Sequence, residues 1–274
     1  MTSAIQVFAQ LLAPYQKITN EKIPEHLDLL GPKNKLRDAC EYALMNGGKR
    51  FRPGLVYFIA DRIGKGLDVS KAALATEFFH AASLVADDLP SMDDDDERRG
   101  KKSTHVVYGE SVALLVTYAL IAAGYDFITK CATESPLPYS DKLCSLAIAN
   151  ATQNTGLRGA TGGQFLDVFP PDLTEETLRT VIRMKTVSLF EISFVFGWLF
   201  GGGDLDKLDQ VKQAASHFGM AFQIADDIGD MEQDQKNGRK INMANVFGLE
   251  AAEKMFHVEH SAFLQTMHGL GIGL

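Results

Sequence analysis

The chain has 274 residues, 46% of them hydrophobic, and a formal net charge of -8. That apolar content can fill one large domain, and the acidic balance makes non-specific nucleic-acid binding a poor default. Three cysteines without close spacing, Cys40, Cys131 and Cys144, give no disulfide or zinc framework and fit a reducing, cytoplasmic compartment.

The N-terminal stretch MTSAIQVFAQLLAPYQK has no basic segment followed by an apolar one, so no secretory signal is expected. Helical periodicity dominates the rest. Apolar stripes occupy residues 36–45, 71–88, 112–127, 142–151, 178–200 and 208–227. In the second of these, Leu74, Phe78, Ala81, Ala82 and Val85 recur at three- and four-residue steps. The apolar runs 112–123 and 192–200 are too short to cross a bilayer and read as buried helices, so no membrane span is expected. Breakers such as Gly31-Pro32, Pro53, Pro170-Pro171 and residues 201–203 separate the stripes, and Asn46-Gly47-Gly48 ends a helix. Strand-like alternation and internal repeats are absent. The pattern predicts one all-α domain over residues 1–274, a single-domain bundle of roughly ten or more helices with short loops.

Two acid clusters stand out. LVADDLPSMDDDDERRG carries Asp87, Asp88 and Asp93 at the end of an apolar helical run, with Arg98 and Arg99 behind them. FQIADDIGD carries Asp226, Asp227 and Asp230, whose three- and four-residue spacing turns all three to one side of a helix. Asp87 and Asp88 face the unfavourable end of their helix dipole. The distortion at Pro90 swings Asp93 back toward Asp87. A single acidic run is more often a solvated loop. Two such sets at the ends of two helices point to hard cations, with Mg²⁺ the best fit and zinc disfavoured for want of histidine or cysteine.

Basic residues recur in a separate set. GGKRFRP places Lys49, Arg50 and Arg52 at a loop-to-helix transition suited to an anion, and Lys185-Thr186 sit in an otherwise apolar helix. Lys236, Arg239 and Lys240 follow the second acid cluster. Each alone has a plain structural reading, such as a helix cap or a snorkelling lysine. Together the two sets are explained by a diphosphate bound through Mg²⁺ and a second held by arginine and lysine.

With GGKRFRP, DDLPSMDDDDERRG, GGQFLD (162–167), Lys185-Thr186 and FQIADDIGD in this order, the chain resembles the trans-isoprenyl diphosphate synthases, the farnesyl/geranylgeranyl diphosphate synthase family. The likeness runs from about Leu36 to Gly248. It implies the isoprenoid synthase fold, helices around a deep central cavity, usually as a homodimer. It also implies prenyltransferase activity, joining isopentenyl diphosphate to an allylic diphosphate (dimethylallyl, geranyl or farnesyl). By the same resemblance, Asp87, Asp88 and Asp93 hold two Mg²⁺ ions and Asp226, with Asp227 and Asp230, a third. Arg98, Lys185, Thr186, Gln223 and Lys240 contact the allylic diphosphate. Lys49, Arg52, His80 and Arg99 bind isopentenyl diphosphate. The chain departs from the family pattern at Ala86, Lys102-Ser103, Thr117-Tyr118, Val187 and Asn242.

In this family an aromatic residue about five positions before the first aspartate closes the cavity in farnesyl-type members; here that position is Ala82, with Ala81 beside it and Phe78 and Phe79 one turn below. One helical turn rises about 5.4 Å, roughly one isoprene unit. The expectation is therefore a geranylgeranyl (C20) product, with farnesyl (C15) next. The competing readings are a class I terpene cyclase, a catalytically silent partner subunit of a synthase, and an acidic helical scaffold.

Overall fold

The computed structural model describes residues 2–236 and 241–273, with side chains from Phe8 onward. The chain is helical throughout. In order come α1 (Thr2–Glu25), α2 (Lys35–Leu44), α3 (Phe51–Ile63), α4 (Ser70–Asp87), α5 (Thr104–Tyr108), α6 (Glu110–Glu134) and α7 (Ser140–Thr155). Then follow α8 (Ala160–Val168), α9 (Glu175–Ile182), α10 (Ser188–Phe200), α11 (Leu208–Gly229), α12 (Met231–Lys236), α13 (Met243–Phe247) and α14 (Leu249–Gly269).

Burial dictates the arrangement. Every residue of α10 except Glu191 is buried, so this helix is apolar all round and packs against α3, α4, α7 and α11. Helices α4 and α6 lie along each other, as do α11 and α14. Aromatic rings fill the interior: Phe190, Phe194 and Phe218 form one stack, and Phe78 meets Phe127 edge-on at 5.0 Å. A second core lies under the C-terminal part, where Leu178, Ile182, Met220, Ile224, Met243 and Phe256 pack together. Some starts follow sequence-legible chemistry. Asn34 caps α2 by accepting from the Leu36 and Arg37 amides at 2.9 and 3.0 Å.

Three features differ from the sequence reading. The stripe 178–200 is not one regular helix: a π-helical turn, Arg183–Val187, interrupts it between α9 and α10. A two-residue antiparallel hairpin forms at Glu97–Arg98 and Lys101–Lys102. Its turn residues, Arg99 and Gly100, have φ of 56° and 74°. That is the left-handed pair a tight hairpin needs, here without the usual Asn-Gly signature. Helix α6 is also longer than its apolar run and meets the length and hydropathy of a membrane span, with mean hydropathy 1.7 over its most apolar window. In the bundle it packs against α2, α4, α5 and α7, the place of a core helix.

An ion pair shut inside the bundle fixes the entry to α3. Arg50, itself at φ 49°, pairs with Glu77 on α4, and both side chains are almost fully buried. Arg50 also donates to Asn20 Oδ1 at 2.9 Å and to the Leu44 carbonyl at 2.7 Å, so its donors are matched and α1, α2, α3 and α4 are tied at one point. This knot sets where Lys49 and Arg52, its neighbours in sequence, emerge.

Candidate active site

Asp93 of the first acid cluster and Asp226, Asp227 and Asp230 of the second line one cavity of about 370 Å³; Asp87 and Asp88 are not in its lining, and Asp88 lines a small neighbouring pocket with Arg98. On one wall stand Met92 and Asp93; on the other Asp226, Asp227, Asp230 and Asp234; Asp167, Lys185, Thr186 and Gln223 complete the lining. After α4 ends, the chain doubles back, and the Asp93 amide donates to the Asp87 carbonyl at 2.9 Å. The expected return of Asp93 toward Asp87 is therefore present.

The carboxylates are not equivalent. Burial pushes the Asp87 carboxyl up to about 6, with Lys185 opposing and Asp93 adding to the rise. Asp88 is buried and ion-paired with Arg98. Asp226 is exposed, whereas Asp227 is buried and turned into the second core. There Asp227 accepts from Gln223 Nε2 and from the Met243 amide, each at 2.8 Å. Burial still pushes its carboxyl up to about 7, against those two hydrogen bonds. All three acids of FQIADDIGD line the one cavity, as their helical spacing predicts, but Asp226 and Asp230 are exposed while Asp227 is buried and hydrogen-bonded in place. The anchor depends on Asn242, a departure from the family pattern. Fully buried, it donates to the Asp227 carbonyl at 2.9 Å and to Asp234 Oδ2 at 2.8 Å, and it caps α13 by accepting from the Asn245 amide at 2.8 Å. Lys240 lies outside the described residues.

The π-helical turn delivers Lys185 and Thr186 to this cavity. Lys185 pairs with Asp167 of α8; burial would lower its pKa, but Asp167 and Asp87 outweigh that and raise it. Thr186 Oγ1 donates to Gln223 Oε1 at 2.8 Å, which orients the amide of Gln223 toward Asp227. Helix α8 approaches very closely: a Cβ on Gly163 would lie 2.3 Å from the Lys185 backbone nitrogen, so only glycine allows the contact.

A second cavity, about 590 Å³, is basic. Lys49, Arg50, Arg52, His80, Arg99 and Lys101 line it, together with Phe222, the sequence neighbour of Gln223. Arg52 stacks over the Phe190 ring at 4.6 Å. Burial lowers its pKa to about 10, and Arg99 adds to that effect. His80 Nε2 lies 3.3 Å from Arg52 Nη1, and burial, then the nearby arginines, hold His80 well below the ordinary histidine value. His80 is therefore neutral and accepts at Nε2, which leaves Nδ1 carrying the proton, buried and without a partner. The hairpin divides the two arginines: Arg98 goes to Asp88, Arg99 to the Gly47 carbonyl and the basic cavity.

Ala81 and Ala82 are buried, 5% and 1% exposed, and Ala81 lines a small pocket with Leu84, Val85 and Asp88. Phe78 packs on Phe127, while Phe79 lies over Gly124 and edge-on to Tyr125 at 5.1 Å. Gln164 on α8, which was not among the expected site residues, has both polar side-chain atoms buried and unpartnered. The GGQFLD motif was the signal that could have singled it out.

Comparison with known proteins gives the same picture. The polyprenyl synthetase family model matches residues 33–245. A geranylgeranyl pyrophosphate synthase 4 of Arabidopsis thaliana is 34% identical over 249 residues, which is 88% of this chain and 65% of that protein. This chain therefore spans just under two thirds of the plant relative's length. A farnesyl diphosphate synthase of Geobacillus stearothermophilus is 34% identical over 91% of this chain and 88% of its own. Among solved structures, a geranyltransferase from Legionella pneumophila superposes with TM-score 0.82 at 28% identity, covering 98% of this chain and 93% of its own. An apo farnesyl/geranylfarnesyl diphosphate (FPP/GFPP) synthase from Zymomonas mobilis gives TM-score 0.80 at 26% identity, covering 95% and 93%.

The buried Asp87 carboxylate generates a pH prediction. Its folded pKa is raised, so its ionisation in the folded chain disfavours folding as pH climbs from about 4 through about 6. Asp87→Asn removes that cost. In metal-free buffer the variant should melt roughly 2–4 °C above the parent at pH 7.5. The difference should shrink at pH 5 and vanish below about 4, where Asp87 is protonated in the folded and unfolded chain alike; scanning calorimetry across these values checks this.

Proposed function

The chain belongs to the polyprenyl synthetase family, and from that premise we propose that it is a prenyltransferase joining isopentenyl diphosphate to an allylic diphosphate. The observation that carries the reading is the pairing of two cavities: one walled by carboxylates from two separate helix ends, the other basic and aromatic, meeting along α11 at Phe222 and Gln223. A class I terpene cyclase has no need of the second.

The acidic cavity fits Mg²⁺. Its donors are carboxylate oxygens, without histidine or cysteine among the lining residues. Among the described residues no three such side chains converge into a preformed cage. Mg²⁺ prefers this arrangement, taking one or two carboxylates and completing its shell with water and phosphate oxygens. Burial above all raises the Asp87 and Asp227 carboxyls, so a cation bound near them would favour their ionised form. Asp87, Asp88, Asp93, Asp226 and Asp230 are the proposed ligands, with Asp227 holding their wall in place and two to three ions in all. Bound there, Mg²⁺ neutralises charge on the allylic diphosphate and its leaving oxygen.

The protein's own groups do the rest. Lys185, Thr186, Gln223 and Arg98 hold the allylic diphosphate, with Lys240 a further candidate, and their fixed dipoles and charges favour the departing anion. Lys49, Arg52, Arg99 and the Nδ1–H of neutral His80 hold isopentenyl diphosphate with its double bond toward the allylic carbon. Water is excluded by the rings of Phe190 and Phe222, so the transient cation meets an alkene rather than a hydroxyl. The proton released in the last step goes to the departed diphosphate. The three described cysteines are free thiols, in keeping with a reducing compartment such as the cytoplasm.

The partner proposed for α6 is a second copy of this chain. Leu114, Leu115, Tyr118 and Ile121 give that helix an exposed apolar face, Tyr118 being 61% exposed, which a homodimer interface covers.

Purified protein with isopentenyl diphosphate and farnesyl diphosphate should consume both in the presence of Mg²⁺ and neither after chelation, read by chromatography of the dephosphorylated products; no consumption of isopentenyl diphosphate under any allylic starter would remove the reading. From dimethylallyl or geranyl diphosphate the main product should be C20, and Ala82→Tyr should shift it to C15; an unchanged product would show that Ala82 is not part of the chamber floor. In equilibrium sedimentation the parent should be a dimer and Tyr118→Glu should shift it toward monomer.

A further inference from the structure

Helix α11 ends at Gly229, Asp230 caps it at φ -103°, and α12 starts at Met231. The two helices meet in a bend centred on Asp230. Asp226 and Asp227 lie before the bend and Asp234 after it, and all four acids line the acidic cavity. The Asp230 amide donates to the Asp226 carbonyl at 2.9 Å and the Asp234 amide to the Asp230 carbonyl at 2.8 Å, so the carboxylates climb in steps of one turn. Which way they face therefore depends on the angle of the bend. The backbone of α11 does not fix that angle by itself, because the last four carbonyls of a helix have no partner within it.

The start of α13 supplies the grip. Asn242 is fully buried and lines neither cavity. One hydrogen of its Nδ2 goes to the Asp227 carbonyl at 2.9 Å, in the last turn of α11, and the other to Asp234 Oδ2 at 2.8 Å, on α12. A single planar amide thus spans the bend, holding main chain on one side and a side chain on the other. Its neighbours pull the same way: the Met243 amide donates to Asp227 Oδ2 at 2.8 Å and Asn245 Nδ2 to the Met231 carbonyl at 3.1 Å. Capping of α13 uses only Oδ1, which accepts from the Asn245 amide, and serine or threonine can perform that role. The two donors are what capping leaves unexplained. Asp227 and Asp234 are 5% and 8% exposed, so water is poorly placed to replace a donor lost from between them.

We propose that Asn242 is a positioning residue for the metal-binding wall: its two amide hydrogens fix the bend between α11 and α12 and thereby the placing of Asp226 and Asp230 toward a bound cation. This rests on the proposed function, in which those two carboxylates are Mg²⁺ ligands. Asn242 touches neither metal nor substrate. It acts as the outer partners of metal ligands act in general, by holding the ligands in one orientation. Mg²⁺ is demanding in this respect, since its octahedral shell tolerates little deviation. The basic cavity stands outside this control, its cationic segment being fixed by the Arg50–Glu77 pair.

Asn242→Thr and Asn242→Ser keep a helix cap and the charge, but one hydroxyl on a shorter stem cannot donate to both partners. Each variant should melt about 2–4 °C lower for each hydrogen bond lost. Ion affinity is read without turnover by titrating Mn²⁺, a carboxylate-seeking stand-in for Mg²⁺ whose free form gives an electron paramagnetic resonance signal that binding removes. The dissociation constant for Mn²⁺ should rise about 10-fold or more, and the Mg²⁺ concentration at half-maximal turnover should rise in step. Saturating Mg²⁺ should restore most of kcat, with KM for isopentenyl diphosphate within about threefold of the parent. A lower melting temperature with unchanged Mn²⁺ affinity would show Asn242 to be a fold-stabilising group only, and would overturn the proposal. So would a loss of kcat that excess Mg²⁺ does not restore. Should one variant not fold, the other carries the same test. A parent that binds Mn²⁺ and turns over beside unaffected variants removes this inference alone; a parent that does neither removes the proposed function beneath it.

Discussion

The fold is organised around charge held out of water. Asp87 and Asp227 are carboxyls at the ends of α4 and α11, and burial, with neighbouring carboxylates adding to it, drives both above the usual carboxylate range. Such groups persist only where neighbours or a ligand compensate them. Around Asp227 the chain supplies the compensation itself, through Gln223, the Met243 amide and Asn242. Around Asp87 it supplies less: Lys185 lies near, but its hydrogen bond goes to Asp167. The difference separates a carboxyl held by the chain's own hydrogen bonds from one that faces charged neighbours without them.

Positioning of the cationic side chains depends on equally local devices. Arg50 and Glu77 knot four helices together and so fix the segment that carries Lys49 and Arg52. The π-helical turn inserts an offset between α9 and α10, which turns Lys185 and Thr186 toward the cavity while α10 remains apolar on every side. Without that offset a lysine within this stripe would face the aromatic core. Irregular helix turns of this kind recur where a helix must serve packing and chemistry together.

Much of this was legible in the sequence. The stripes at 71–88 and 208–227 gave α4 and α11, because one-sided burial leaves a period in the residues. Asp93 and the acids of FQIADDIGD share one cavity, without Asp87 and Asp88 in its lining, and residues of GGKRFRP line a basic one. Other elements were less visible. Helix α1 contains Pro14 and Pro24, and α14 follows an ill-marked glycine start, so neither announces itself by its breakers. The π-helical turn has no compositional mark. The inward turn of Asp227 depends on Asn242 and Met243, fifteen and sixteen residues onward, a tertiary contact that helical spacing within FQIADDIGD cannot encode. Gln164 was missed because an unmatched amide is a property of surroundings and not of residue type.

The two-residue hairpin has a consequence for how distant segments are held. Arg98 and Arg99 are adjacent in the chain yet hold different partners, Asp88 and the Gly47 carbonyl, and the strand pairs beside them are Glu97 with Lys102 and Arg98 with Lys101. A ribbon two pairs long thereby braces the end of α4 against the loop that leads into α3, segments forty residues apart in the chain.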